Sequence, residues 1–130
     1  MQPPNNIDII ETSATTFWVD EEGIICSIPK KLPFNIKDTD DTINKFKQMF
    51  GNKKHCFLID TTYAPTSTKK QKEMAGKEFL KIVKAAAFIS KSPYGKMIAH
   101  LFINLSPMKN KSKFFDNEEE ARIWLRQYLV

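Results

Sequence analysis

Glycine is scarce in this chain, which has four Gly among 130 residues. Loops that cradle a phosphate need closely spaced glycines, and neither a G-x-G-x-x-G nor a Walker pattern occurs. The sequence therefore excludes the common nucleotide-binding loops. Long apolar runs are missing too. A membrane-spanning helix needs about 20 consecutive apolar residues, so we expect no transmembrane segment.

The first six residues, Met-Gln-Pro-Pro-Asn-Asn, contain neither a basic region nor an apolar stretch. A secretory signal peptide requires both. We therefore expect no signal peptide and a cytoplasmic location. These six residues are polar and proline-containing, so we expect them to be a flexible end of a single domain that spans residues 1–130.

Candidates for metal binding and catalysis are few. Cys26 and Cys56 both fall in apolar runs, where a cysteine without a secretion signal is usually a buried small hydrophobe. His55 and Cys56 are adjacent, point to opposite faces of a strand and do not form metal-ligand spacing with His100. Asp60 ends a strand with no histidine nearby in sequence, so no nucleophile–base pair can be assembled around it. We expect no metal, no cofactor and no enzymatic activity.

The net charge of +5 is unevenly distributed. Residues 1–60 carry seven Lys and nine Asp or Glu, whereas residues 61–130 carry thirteen Lys or Arg and six Asp or Glu. Such asymmetry fits either an acidic partner or a set of solvated helix faces. The basic residues are mostly Lys and no nucleic-acid-binding motif accompanies them. We therefore expect no specific nucleic-acid binding.

The stretch from His55 to Asp60 organises the rest of the chain. It is apolar up to the Asp and is followed by a polar loop, residues 61–67, which indicates a strand buried on both faces of a parallel sheet. Sites in open α/β sheets lie at the carboxyl ends of such strands. The sequence therefore predicts that a site, if present, includes residues 60–69.

The remaining pattern predicts a hairpin followed by alternating helices and strands. We expect hairpin strands at residues 12–20 and 24–28, a connector over 29–38, and a helix from about Thr39 to Phe50. A helix over 68–81 follows, with Lys69, Lys70, Lys72 and Lys77 on its outward face. Then come a strand over 84–90, a helix that starts at Ser92-Pro93, an edge strand at 113–115 and a last helix capped by Asn117.

The predicted fold is therefore α/β, with a mixed, mostly parallel central sheet of about five strands and four helices. The element order is β-β-α-β-α-β-α-β-α. Strands 55–60 and 85–90 should be parallel neighbours. In the helix after Ser92 we expect an apolar inward stripe made of Tyr94, Met97, Ile98, Leu101, Phe102 and Leu105.

This order resembles the STAS fold of anti-sigma factor antagonists, in particular the small SpoIIAA-like proteins of the STAS/SEC14 type. Four stretches carry the resemblance, which extends from about Thr12 onward. They are Phe57-Leu58-Ile59-Asp60, residues 84–90, Ser92-Pro93 with the helix to Leu105, and residues 115–121 continuing through Trp124-Leu125.

The resemblance implies a binding or regulatory module with a protein partner. In anti-sigma factor antagonists a Ser or Thr at the start of the helix after the central strand is phosphorylated by a partner kinase, within an Asp-Ser-Ser/Thr-Gly pattern. Pro65-Thr66-Ser67-Thr68 stands there in this chain, with hydroxyls but without the Asp and the Gly. Thr66 or Ser67 is then either a phosphorylation or partner site, together with Asp60, Lys69 and Lys70, or a helix cap.

The resemblance to SEC14-type proteins implies a second function, which is to carry or sense a small apolar or lipid-like ligand. The richness in Met and Phe and the basic second half fit this alternative. Its pocket would be lined by Tyr94, Met97, Phe102 and Trp124, although an ordinary core accounts for these residues better.

Overall fold

Strands and helices alternate along most of the chain. The computed structural model describes residues 1–30 and 35–129. Within those two ranges the strands are β1 (Ile10–Glu11), β2 (Thr15–Val19), β3 (Ile25–Pro29), β4 (His55–Asp60), β5 (Val83–Ile89) and β6 (Ser112–Phe114). The helices in the same ranges are α1 (Ile36–Phe50), α2 (Lys69–Leu80), α3 (Pro93–Leu105) and α4 (Glu118–Arg126). The expected α/β class and the four helices are confirmed.

The order of the strands in the sheet is their order in the chain. β2 runs antiparallel to β1 and β3, whereas β3, β4, β5 and β6 are parallel neighbours. The predicted mixed sheet and the predicted parallel pairing of β4 with β5 are confirmed. Right-handed crossovers that all step in one direction put their helices on one face. Accordingly, α1, α2 and α3 cover one face of the sheet, and α4 covers the other.

This order has a consequence for where a site can lie. In doubly wound sheets ligands bind where the strand order reverses. Over the described residues the order does not reverse, so the sheet has no switch point of that kind. Any ligand site at the carboxyl ends of the strands must therefore form between the sheet and the helices that cover it.

The strand count and the start of α1 differ from the predictions. The described residues hold six strands instead of about five, because Ile10 and Glu11 pair with β2 in a strand too short to leave a pattern. Helix α1 begins at Ile36, three residues before Thr39. Asn35 is its cap, since its side-chain oxygen accepts a hydrogen bond from the Lys37 amide at 2.9 Å. Residues 31–34 of the predicted connector lie outside the described residues.

The predicted inward stripe of α3 is wrong in part. Ser92 caps the helix and Pro93 is its first residue, as predicted. However, Tyr94, Met97 and Leu101 are exposed. The buried residues of this helix are Gly95, Ile98, Ala99 and Ile103.

Close packing at the start of α3 accounts for the difference. A Cβ atom on Gly95 would lie 2.5 Å from the carbonyl oxygen of Thr61, so only glycine allows this approach. Ala99, one turn further on, is fully buried. Small residues therefore face the sheet, and the larger apolar side chains of the helix are turned outward.

Two hydrophobic clusters lie on the two faces of the sheet, and successive residues of each strand alternate between them. The cluster under α1, α2 and α3 forms the cavity face; its buried members include Phe17, Ile43, Phe57, Ile59, Phe88, Ala99 and Ile103. The cluster under α4 forms the α4 face; its buried members include Trp18, Ile24, Cys26, Leu58, Ala85, Ala87, Ala121 and Leu125.

Candidate functional site

A cavity of about 170 Å³ lies between the sheet and helices α1, α2 and α3. Pro29 of β3, Ile59 of β4 and Phe88 of β5 reach it, so it lies near the carboxyl ends of the parallel strands. Its apolar walls are formed by Ile43, Ala64, Pro65, Ala75, Ile59, Phe79, Phe88, Ile98, Phe102 and Met108. The cavity is thus a partly open, mostly apolar space lined by several elements that are distant in sequence.

One buried charge lines this cavity. Lys72 is 4% exposed, although lysine is almost never fully buried without a partner. Its ammonium group donates a hydrogen bond to the carbonyl oxygen of Ser67. Among the described residues no carboxylate forms an ion pair with it. Burial lowers the pKa of Lys72, because the charged form loses its hydration.

The other charged residues at the cavity are placed differently. Lys30 Nζ lies 2.9 Å from Glu11 Oε2 and donates to the Thr12 carbonyl oxygen at 2.6 Å, so its charge is already compensated. Asp38, in the first turn of α1, lines the cavity and is partly exposed. Lys72 is therefore the buried cation at this site whose charge has no carboxylate partner within the described residues.

Hydroxyl groups form a polar border on the side of β2, β3 and α1. Thr15 Oγ1 and Ser27 Oγ are 2.6 Å apart and hydrogen bond to each other. Thr42 donates to the Asp38 carbonyl oxygen at 2.9 Å. These hydroxyl groups already have hydrogen-bond partners within the protein, so they do not require a polar ligand.

The sequence prediction about Lys72 was wrong. It was placed on the outward face of the helix, with Lys69, Lys70 and Lys77, because lysines are normally solvated. However, residues 72, 75 and 79 have the i, i+3, i+7 spacing of one helix face. Ala75 and Phe79 line the cavity together with Lys72. That spacing was the signal in the sequence that could have located this residue.

The structure separates the predicted site residues. Thr66, Lys69 and Lys70 are exposed, and Ser67 lines the cavity. Asp60 is buried on the other face of the sheet, because alternation along β4 turns it away from Ile59. Only Ser67 of the predicted set therefore lies at the cavity, and its interaction with Lys72 uses the main-chain carbonyl.

Neither Thr66 nor Ser67 caps α2, so that alternative was wrong. Thr68 is the cap: its hydroxyl oxygen accepts from the Gln71 amide at 3.1 Å. The Gln71 side chain in turn accepts from the Thr68 amide at 2.8 Å, which completes a capping box. The hydroxyls of Thr66 and Ser67 are thus not required to start the helix.

Asp60 is held by its neighbours in the loop after β4. Its carboxylate accepts hydrogen bonds from the Thr62 hydroxyl and from the Thr62 amide at 3.0 Å, and the Met1 amino group lies 2.9 Å away. Burial by itself would raise the pKa of Asp60, but these hydrogen bonds outweigh burial and leave the pKa below its ordinary value of 3.8. This environment makes Asp60 a structural anion that orders the loop.

The predicted ligand pocket was mostly wrong. Of its four residues only Phe102 lines the cavity. Tyr94 and Met97 are exposed on the outer side of α3. Trp124 belongs to the α4 face, where it packs against Phe115 and Tyr128.

The cysteines are free and buried, as predicted. Burial raises the pKa of the Cys26 thiol to about 12, with a further increase from the nearby Asp20 carboxylate. The described residues contain no group of three or more His, Cys, Asp or Glu side chains that could hold a metal ion. Over the same residues, no helix combines the length and the apolar character that crossing a membrane requires.

One of the three comparisons with known proteins gives an assignment. No curated protein and no solved structure matches the chain. Residues 17–129 match a family described as a domain of unknown function, DUF7793. The match begins within β2 and covers the later strands together with α1, α2 and α3. The chain belongs to the DUF7793 family.

Proposed function

We propose that this protein is a non-enzymatic module that binds a small apolar ligand in the cavity between the sheet and helices α1, α2 and α3. The observation that carries the proposal is the cavity itself. Protein interiors normally pack without voids larger than a water molecule. Here the elements instead leave a partly open space of about 170 Å³ with mostly apolar walls.

The size of the cavity restricts the ligand. An engineered apolar cavity of about 150 Å³ stays dry and binds benzene. A cavity of about 170 Å³ therefore fits one aromatic ring or a short aliphatic chain. A phospholipid with two long chains is too large, so the ligand is a small molecule and not a membrane lipid.

Toluene is a suitable probe for this proposal, because it is apolar and carries no charged group. Occupation of the cavity should raise the melting temperature of the wild-type protein, because the ligand binds only the folded state. Methyl resonances of Ile43, Ile59 and Ile98 should shift in the NMR spectrum as toluene is added. Absence of both effects would contradict the proposal.

Two neighbouring residues of α2 provide a matched pair of variants. Ala75→Leu puts a larger side chain into the cavity and should abolish the effect of toluene. Met74→Leu changes an exposed residue and should leave the effect intact. An equal response of both variants would mean that toluene binds elsewhere.

A protein partner at residues 61–70 is a second candidate function. The observation that favours it is exposure: Tyr63 is 64% exposed, and Thr66, Lys69 and Lys70 are exposed nearby. Tyr is enriched at protein interfaces relative to the rest of the surface. Phosphorylation at Thr66 or Ser67 would add charge to this surface at the positive end of α2.

The charge-mimicking variants Thr66→Asp and Ser67→Asp test this second candidate. Each should keep the wild-type melting temperature within a few degrees and alter the affinity for a protein that co-purifies from the native cell. Unchanged affinity in both variants would contradict a role of these hydroxyls in partner binding.

We also propose that the fold is STAS-like, of the SpoIIAA-like type. Support comes from the order of elements after the hairpin and from the helix that follows the central strand directly after the Pro65-Thr66-Ser67-Thr68 segment. A STAS-like module that holds a small ligand beneath this segment would combine the two candidate functions in one surface.

A further inference from the structure

We propose that the ligand is a carboxylic acid, whose carboxylate pairs with Lys72 while its apolar part fills the cavity. This inference rests on the proposed function and specifies the chemical class of the ligand. It starts from a charge that has no carboxylate partner within the described residues: the ammonium group of Lys72, which is almost fully buried beside the apolar cavity.

The energetic reasoning is direct. A buried charge is costly unless it is paired and hydrogen bonded. The Lys72 ammonium can donate three hydrogen bonds, and the described residues supply one acceptor, the neutral carbonyl oxygen of Ser67. A carboxylate in the cavity would supply both the missing acceptors and the missing negative charge. An amine or a second cation would increase the cost.

The remaining charges at the cavity agree with a single monovalent anion. Lys30 is paired with Glu11 and is not free to form a second cationic contact. Asp38 borders the cavity and would repel a highly charged group. Phosphate esters are usually bound by several donors, such as Arg side chains or helix amides. One lysine and one bordering carboxylate are therefore suited to a carboxylate better than to a phosphate.

The cavity volume sets the length of the acid. A single aromatic ring or about six carbon atoms fits the space that is available. Small aromatic acids and short-chain aliphatic acids are thus the predicted ligands. With so few atoms, the affinity should lie in the micromolar to millimolar range.

Hexanoate and hexanamide form a matched pair of probes. They have the same chain and nearly the same shape, but only hexanoate carries a negative charge at pH 7. Isothermal titration calorimetry should show that wild-type protein binds hexanoate at least tenfold more tightly than hexanamide. Equal binding would overturn the carboxylate inference and leave the proposed apolar site intact. If neither probe nor toluene binds, the proposed function itself fails.

Variants assign the preference to Lys72. Lys72→Met keeps the length of the side chain without its charge and should weaken hexanoate binding at least tenfold, with hexanamide binding unchanged. Lys72→Arg keeps a cation and should retain a preference for hexanoate. The control Lys77→Met removes an exposed lysine of the same helix and should bind both probes like wild type. A preference that persists in Lys72→Met would overturn the assignment.

Asp38→Asn tests the alternative that Lys72 is neutralised inside the protein. Suppose that Asp38 acts as the counter-charge of Lys72 in solution. The wild-type protein should then bind hexanoate no more tightly than hexanamide, and Asp38→Asn should bind hexanoate more than tenfold more tightly than the wild-type protein does. That result would overturn the inference. A wild-type preference for hexanoate that changes less than threefold in Asp38→Asn supports it.

Discussion

The two faces of the sheet are packed in different ways. On the α4 face, a helix of nine residues lies over β4 and β5, where Ala85 and Ala87 let it approach closely. Leu58, Ala121 and Leu125 are fully buried there. On the cavity face, α1, α2 and α3 lie side by side and enclose the cavity of about 170 Å³.

This difference separates two tasks. One helix lies directly over two strands on the α4 face and fully buries Leu58, Ala121 and Leu125, so this face stabilises the fold. Several helices meeting at the carboxyl ends of the strands leave a gap between them, and here the gap contains a buried cation instead of a large apolar side chain. The α4 face thus serves stability, and the cavity face can serve binding.

Matched truncations on the two faces should give the largest effect. Leu125→Ala removes a fully buried side chain from the α4 face and should lower the free energy of unfolding by about 2–5 kcal/mol. Ile98→Ala removes a side chain that lines the cavity and so packs against protein atoms on only part of its surface; the loss should therefore be about half as large. Urea denaturation of both variants measures the difference. Equal losses would mean that the cavity face is as well packed as the α4 face.

An ion-pair network at the edge of the α4 face should give the next largest effect. Arg122 pairs with Asp20 and also donates to Glu118 at 3.1 Å, so it fastens α4 to the end of β2. Arg122→Met should destabilise the protein by about 1–3 kcal/mol, because the partly buried Asp20 carboxylate loses its cation. Arg126→Met breaks the exposed pair with Glu22 and should have no measurable effect in the same urea denaturation assay. Similar losses of unfolding free energy in both variants would mean that burial does not determine how much an ion pair contributes to stability.

Asp60, which also faces the α4 side, should make stability depend on pH. Its pKa in the folded state is lowered, so its stabilising contribution is present above pH 3.8 and is lost as the pH falls through the folded-state value. Asp60→Asn should therefore be less stable than wild type at pH 7, and the difference should shrink below about pH 4. The exposed Asp116→Asn serves as the control. If the difference in stability between wild type and Asp60→Asn stays constant down to pH 3, the charge of the Asp60 carboxylate is not its cause.

The two cysteine thiols should show the smallest effect, because we expect them not to react in the native protein. Cys26 and Cys56 both lie under α4, and burial raises the pKa of each thiol. Neither should react with a thiol reagent at pH 8 in the native protein, whereas both should react in denaturant. Rapid labelling of native protein would show that α4 opens often, which would contradict its assignment as the well-packed side.

The elements that were predicted correctly are those with a local cause. The apolar run before Asp60 indicated β4, and the side chains of Ser92 and Asn117 marked the starts of α3 and α4 because a cap acts within three residues. The two-residue β1 has no such signal, since it depends entirely on pairing with β2.

The site was harder to predict because its parts act through packing and main-chain atoms. Lys72 was expected outside because of its charge, although its spacing from Ala75 and Phe79 pointed inward. The contribution of Ser67 is a carbonyl oxygen, which every residue type has. The cavity arises where three helices meet, and no local pattern encodes such a gap.

The sequential order of the strands also bears on how the chain is made. In sheets with reversed strand order, an early strand must wait for a later one to fill a central position. Here each strand from β2 onward pairs with the one synthesised before it. The sheet can therefore grow one strand at a time as the chain leaves the ribosome, with its newest strand always at the open edge. Helix α4 follows β6 in the chain, so it emerges after the six described strands and covers a face that is already formed.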